Sequence, residues 1–185
     1  MAQSATIFKA DLQIADVDRD YYRDHALTIA RHPSETDERM MVRLLAFARH
    51  AHDALAFGRG LHVDDEPDLW RKDLTGAIEV WIEVGQPDER RVRRACGRAA
   101  SVFVYAYGGR AVERWWDQSS GSLEGATNLT VISLPPDATR SLAALSRRTM
   151  QLQCTLQGGQ MWITESERTV AIEPAVLKGP AGSGG

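Results

Sequence analysis

Glu79 and Glu83 stand inside Ile78–Val84, a run whose other members are all apolar. In a strand, Ile78, Val80, Ile82 and Val84 share one face, and Ala77, Glu79, Trp81, Glu83 and Gly85 share the other. A strand wholly apolar on one face and largely apolar on the second belongs at the centre of a sheet covered on both sides. A carboxylate turned into such a face is costly unless it is ion-paired or bound to a cation. Two kinds of partner answer that cost. An arginine such as Arg71 or Arg91 would form an ion pair. A divalent metal would do the same, but its preference for hard oxygen ligands asks for further carboxylates nearby.

Directly after this strand come Pro87, Asp88 and Glu89, then Arg90, Arg91, Arg93, Arg94 and Arg98. Pro87 suits the first position of a helix, and the two acids suit its positive end. On a helix running from Pro87 to about Ala100, Arg90, Arg91, Arg94 and Arg98 form one stripe, with Val92, Ala95 and Ala99 nearly opposite. Such a stripe is a solvated face, or a track that follows a phosphate backbone and binds it in a salt-sensitive way. Arg147 and Arg148 are candidates to extend it. The whole chain, with net charge −3 and pI about 6.0, is not a strongly basic nucleic-acid binder.

His25, His32, His50, His52 and His62 have no zinc-ligand spacing. Cys96 and Cys154 are far apart and sit among apolar neighbours, which predicts two reduced, buried thiols. Trp115, Trp116 and Trp162 read as packing aromatics. The glycine pairs mark turns, and no Ser/His/Asp arrangement is visible. No apolar stretch approaches the ~18 residues that span a membrane. The first residues lack the basic-then-apolar order of a signal peptide, so a cytoplasmic protein is expected.

The elements that must position the acids follow from periodicity. Phe8, Ala10, Leu12 and Ile14 alternate with polar residues, a turn follows at Ala15–Asp20, and His25–His32 returns as the second strand of a hairpin. Ser34 and Asp37 form an S-x-x-D capping pattern ahead of Met40, Met41, Leu44, Leu45, Ala48 and Leu55, which predicts a helix ending near Ala56–Gly60. A short strand is expected at Leu69–Arg71. After the central strand and the arginine helix, strands and helices alternate to about Arg148, the pattern of an α/β fold with a mixed sheet. Met150, Leu152, Cys154 and Leu156 then open a C-terminal meander, packed on that sheet or extending it. At 185 residues the chain is expected to be a single domain over residues 1–177, with residues 178–185 a disordered tail.

Pro67-Asp68, followed by Glu83 at the end of the next strand, is similar to the PD-(D/E)xK nuclease superfamily. More specifically, "LTIARHPSETDERMMVRLLAFARHA", "DDEPDLW", "WIEVGQPDERR" and "RTMQLQ" resemble the YaeQ family over roughly residues 5 to 173. That resemblance implies a variant of the PD-(D/E)xK fold. It also implies a site at which Glu38, Asp68 and Glu83 hold Mg²⁺ or Mn²⁺, with Gln86 and Arg91 in reach of substrate. Glu38 is the helix's candidate because it lies at the margin of the apolar face, whereas Glu35 faces further away. The superfamily's lysine is replaced by Gly85, and Gln86, Arg90 and Arg91 are the polar groups that follow. Two readings stand side by side. One is a metal-dependent phosphodiesterase. The other is a non-catalytic module that contacts nucleic acid or protein through Arg90, Arg91, Arg94 and Arg98. Singly, Asp68 also fits a turn beside Pro67, and Glu38 fits the acidic first turn of any helix.

Overall fold

The computed structural model describes residues 4–60 and 63–181. His62 and the last four residues of the expected tail lie outside them. Among the described residues the chain forms eleven strands and four helices in two sheets.

The outer sheet has the order β10-β9-β8-β1-β2. β1 (Thr6–Asp16) and β2 (Tyr21–Arg31) are the expected hairpin, with a tighter turn and a longer return strand than the sequence suggested. β8 (Thr149–Gln157), β9 (Gln160–Glu165) and β10 (Arg168–Ile172) are the expected meander. It extends the hairpin rather than the central sheet, because β8 pairs in parallel with β1. Strict alternation explains the placement. Phe8, Ala10, Leu12 and Ile14 on β1 and Met150, Leu152, Cys154 and Leu156 on β8 all point inward and are buried.

The central sheet has the order β11-β7-β6-β5-β4-β3. It contains β3 (Leu55–Phe57), β4 (Leu69–Lys72), β5 (Ile78–Val84), β6 (Ala99–Ala106), β7 (Leu129–Ser133) and β11 (Ala175–Lys178). β5, β6 and β7 run parallel, while β3, β4 and β11 are antiparallel to their neighbours. β11 was not foreseen. It draws Lys178 into the sheet, and Ala181 N–H donates to the Thr127 carbonyl at 2.9 Å.

Four layers result. Between the sheets lie α1 (Asp37–Arg49) and α4 (Pro136–Ala143), sharing one core with the inner faces of both sheets. α2 (Glu89–Arg98) and α3 (Arg110–Leu123) cover the other face of the central sheet, around Trp81, Val92, Val102, Val104 and Leu129. β5 is therefore covered on both sides, as its composition demands. α1 is buried continuously from Met40 to Ala48, and this is why it is apolar nearly all round. It starts later than the capping pattern suggested. Thr36, not Ser34, is the N-cap, its hydroxyl accepting from Arg39 N–H at 3.1 Å. It also stops at Arg49, so Leu55 is a strand residue. In α2 the N-cap is Asp88, which leaves Pro87 outside the helix.

Candidate functional site

The C-terminal end of β5 opens beside the start of β4, the first turn of α1 and the first turn of α2. A cleft of about 210 Å³ lies there, lined by Arg39, Asp68, Glu83, Gln86 and Arg91, with Pro67 and Val84 in its wall. Close main-chain approach builds the rim. Asp68 N–H donates to the Ile82 carbonyl at 3.1 Å, and Gly58 N–H to the Asp68 carbonyl at 3.0 Å. A Cβ at Gly58 would stand 1.9 Å from the Pro67 carbonyl oxygen, so only glycine fits that crossing.

Asp68 and Glu83, expected together, do share this cleft. Asp68 Oδ2 accepts from Val84 N–H at 2.7 Å, and its Oδ1 accepts from Arg39 Nη2 at 2.7 Å. Glu83 is 3% exposed. Its Oε1 accepts from Trp81 Nε1 at 2.9 Å and from Arg91 Nε at 2.7 Å. Both bonds fall on one oxygen, which leaves Oε2 without a hydrogen bond among the described residues. Burial, reinforced by the Asp68 charge, pushes the Glu83 carboxyl up to about 7, against the pull of Arg91 and the Trp81 indole.

Arg91 is fixed from three directions, since its Nη2 and Nη1 also donate to the Glu66 and Asp64 carbonyls at 2.6 and 3.2 Å. Arg39 belongs to a second, deeper chain of charges. Arg43 holds Glu35 with two bonds of 2.8 Å, and Arg39 Nη1 donates to the same Glu35 at 3.1 Å. Arg39 Nη2 reaches both Asp68 and the Val84 carbonyl, the latter at 3.3 Å.

Glu35 therefore faces inward, 6% exposed, contrary to the expectation that it points away from the core. It precedes the N-cap, so the helical angle used to orient it does not apply. Glu38 does not line the cleft. It is half-buried near Tyr107, whose phenol is raised by burial first and by the Glu38 charge among the smaller influences. No three His, Cys, Asp or Glu side chains gather as a metal-holding group among the described residues. Glu79 takes its bland partner, Arg71, at 2.7 Å. Gln86 lines the cleft and is tethered to the Tyr107 carbonyl at 3.1 Å. Gly85 has φ +102°, a backbone turn that a lysine would adopt only under strain; the missing lysine thus has a conformational cause.

Of the arginine stripe, only Arg91 enters the cleft. Arg94 and Arg98 line a second depression of about 280 Å³ with Trp81 and Arg91, so Arg91 joins the two. Arg98 lies over the Trp81 ring at 5.1 Å. Arg90 is exposed at the helix start. Arg148 belongs to the outer sheet's side, against Phe8. Both cysteines are free; Cys154 is buried and Cys96 partly so.

The family model described as YaeQ protein matches residues 1–174. This chain belongs to the YaeQ family. The "uncharacterized protein YaeQ" of Escherichia coli (strain K12) and that of Salmonella typhi are each 42% identical to it over 181 residues, covering 98% of this chain and 100% of the relative. The crystal structure of the YaeQ protein from Xanthomonas axonopodis pv. citri is similar at 50% identity and a TM-score of 0.92, covering 96% of this chain and 100% of that one. That of the YaeQ protein from Pseudomonas syringae is similar at 36% identity and 0.90, covering 95% and 97%. Among the described residues of this YaeQ chain, no helix is long and apolar enough to cross a membrane. Its site offers two carboxylates, two guanidiniums, one tethered amide and one open carboxylate oxygen.

Proposed function

We propose that the cleft is a nuclease-like phosphodiester-hydrolysing site that uses Mg²⁺ or Mn²⁺, acts on nucleic acid and works in the bacterial cytoplasm. The observation that carries this reading is the convergence of Asp68 and Glu83 on one cleft together with Arg39, Gln86 and Arg91. The likeness to a PD-(D/E)xK core is part of the proposal. Its support is the antiparallel β4–β5 pair, which places the two acids side by side.

The residues fit a magnesium-type ion. Mg²⁺ keeps several waters and needs only one or two carboxylates, with substrate phosphate supplying more oxygens. Asp68, Glu83 and the Val84 carbonyl are the oxygens that would hold it; Glu38 is not in this set. When bound, the metal would supply a water of lowered pKa and a polarised phosphoryl oxygen. Glu83 Oε2, which takes neither of the hydrogen bonds that hold Oε1, is the oxygen left to face the ion. Arg91, held in place by two carbonyls, presents its remaining donors to phosphate. Arg94 and Arg98 continue that cationic line along α2.

A titration of the protein's melting temperature with MnCl2 tests the reading. The wild type should be stabilised, and Glu83→Ala and Asp68→Ala should lose the effect. No rise at saturating Mn²⁺ in the wild type overturns it. The second reading, a non-catalytic nucleic-acid module, is favoured by the guanidinium at 2.7 Å from each carboxylate. It is selected if Mn²⁺ has no effect while Arg94→Glu/Arg98→Glu weakens binding to single- or double-stranded DNA or RNA at low salt.

A further inference from the structure

Arg39 sits where a cation is wanted. Its Nη2 spans the Asp68 carboxylate, at 2.7 Å, and the main-chain carbonyl of Val84, at 3.3 Å. Val84 directly follows Glu83, so this pair of oxygens belongs to the donor set proposed above for the metal. Arg39 is not required to neutralise Glu35, which Arg43 already holds through two bonds of 2.8 Å. The longer 3.1 Å bond from Arg39 Nη1 to Glu35 instead anchors the near end of the guanidinium.

We propose that Arg39 is an internal counter-cation that locks the site: a divalent cation takes Asp68 only by displacing the Arg39 guanidinium, which then turns toward the substrate's phosphate. This rests on the metal-dependent reading. Electrostatics forces the exchange, because a dication and a guanidinium cannot share one buried carboxylate oxygen without strong mutual repulsion. The cavities set its direction. Behind Arg39, toward Glu35, Arg43 and Ala30, only about 10 Å³ is open, too little for a guanidinium. In front lies the cleft of about 210 Å³. The displaced side chain therefore moves into the space where phosphate would lie, and metal entry and phosphate capture become one step. With neither ligand, the buried carboxylates remain paired and the fold keeps its stability.

The test is calorimetric titration of Mn²⁺ into the full chain and into Arg39→Gln, with circular dichroism to establish folding. Removing the competitor should tighten Mn²⁺ binding by about tenfold or more. Mn²⁺ binding detectable only in the variant overturns the metal-dependent reading of the wild type and the lock with it. Equal affinity in both proteins overturns the lock and leaves the metal-dependent reading standing. No binding by either folded protein overturns both. Should Arg39→Gln not fold, the arginine Nε–H resonances of the wild type decide: Mg²⁺ should move the Arg39 signal toward that of a solvated guanidinium, and an unmoved signal in Mg²⁺-loaded protein overturns the proposal.

Discussion

Burial acts on Glu83 and His50 with opposite sign. It pushes the Glu83 carboxyl from its ordinary 4.5 up to about 7, and drives the His50 imidazole, packed against Tyr105, from 6.5 down to about 3. An acid raised in the folded state contributes stability that is fully present below pH 4.5 and lost as pH rises toward 7. A base depressed in the folded state contributes stability that is present above pH 6.5 and lost as pH falls. Between pH 4.5 and 6.5 the two linkages offset each other. Glu83→Gln should therefore unmask His50: stability should climb with pH across that window more steeply than in the wild type. Urea midpoints at pH 4.5, 5.5 and 6.5 measure this, and a variant with the same pH dependence as the wild type contradicts it. At this scale the sequence was half legible. Glu83 in an apolar strand, read with the resemblance that sets it beside Pro67-Asp68, pointed to Asp68 and Glu83 in one place, whereas Glu79 proved to be paired with Arg71. Arg39 and Glu35 were missed, although Arg43, a lone charge within the apolar run Met40–Ala48, carried the same signal as the strand acids.

Helix termini decide how the first turn of α1 delivers Arg39. Ser34 and Thr36 both match capping residues, and sequence alone favoured the earlier one because an acid stands three residues on. The structure separates them by partner. The Thr36 hydroxyl accepts from Arg39 N–H, while the Ser34 hydroxyl bonds the His32 ring. Thr36→Ala should cost about 1 kcal/mol and Ser34→Ala close to nothing, measured by chemical denaturation. Equal losses would remove Thr36 from its role. The strands were read more faithfully than the helix ends, since alternation is fixed by the pleat whereas a cap depends on which of several hydroxyls the chain brings near. β11 escaped because Ala175–Lys178 carries no buried large side chain; Val176 is 65% exposed and the strand is held by its backbone ladder to β7.

The molecule as a whole is two sheets enclosing α1 and α4, and sequence periodicity could not tell one extended sheet from two. Strand identity was local, but partnership was not: β8 meets β1 across most of the chain length. The layering predicts unequal truncations. A chain ending at Pro174 loses only β11 and should melt roughly 6 °C lower, the loss of about 2 kcal/mol of backbone pairing. A chain ending at Leu145 loses three of the outer sheet's five strands. It exposes Phe8, Leu12 and the flank of α1, and should show no cooperative melt by circular dichroism. A cooperative transition there would mean that the central sheet folds without its cover.

The parallel seam between β1 and β8 also bears on biosynthesis. β1 and β2 are synthesised before α1 to α4 and β3 to β7, with one apolar face and one ladder edge left open until β8 follows. Until β8 emerges the nascent hairpin is a sticky, unclosed template of the sort that chaperones shield. Closure of the outer sheet is thereby postponed until β8 is made, and a polypeptide stalled ahead of that strand is an aggregation hazard rather than a partly working protein.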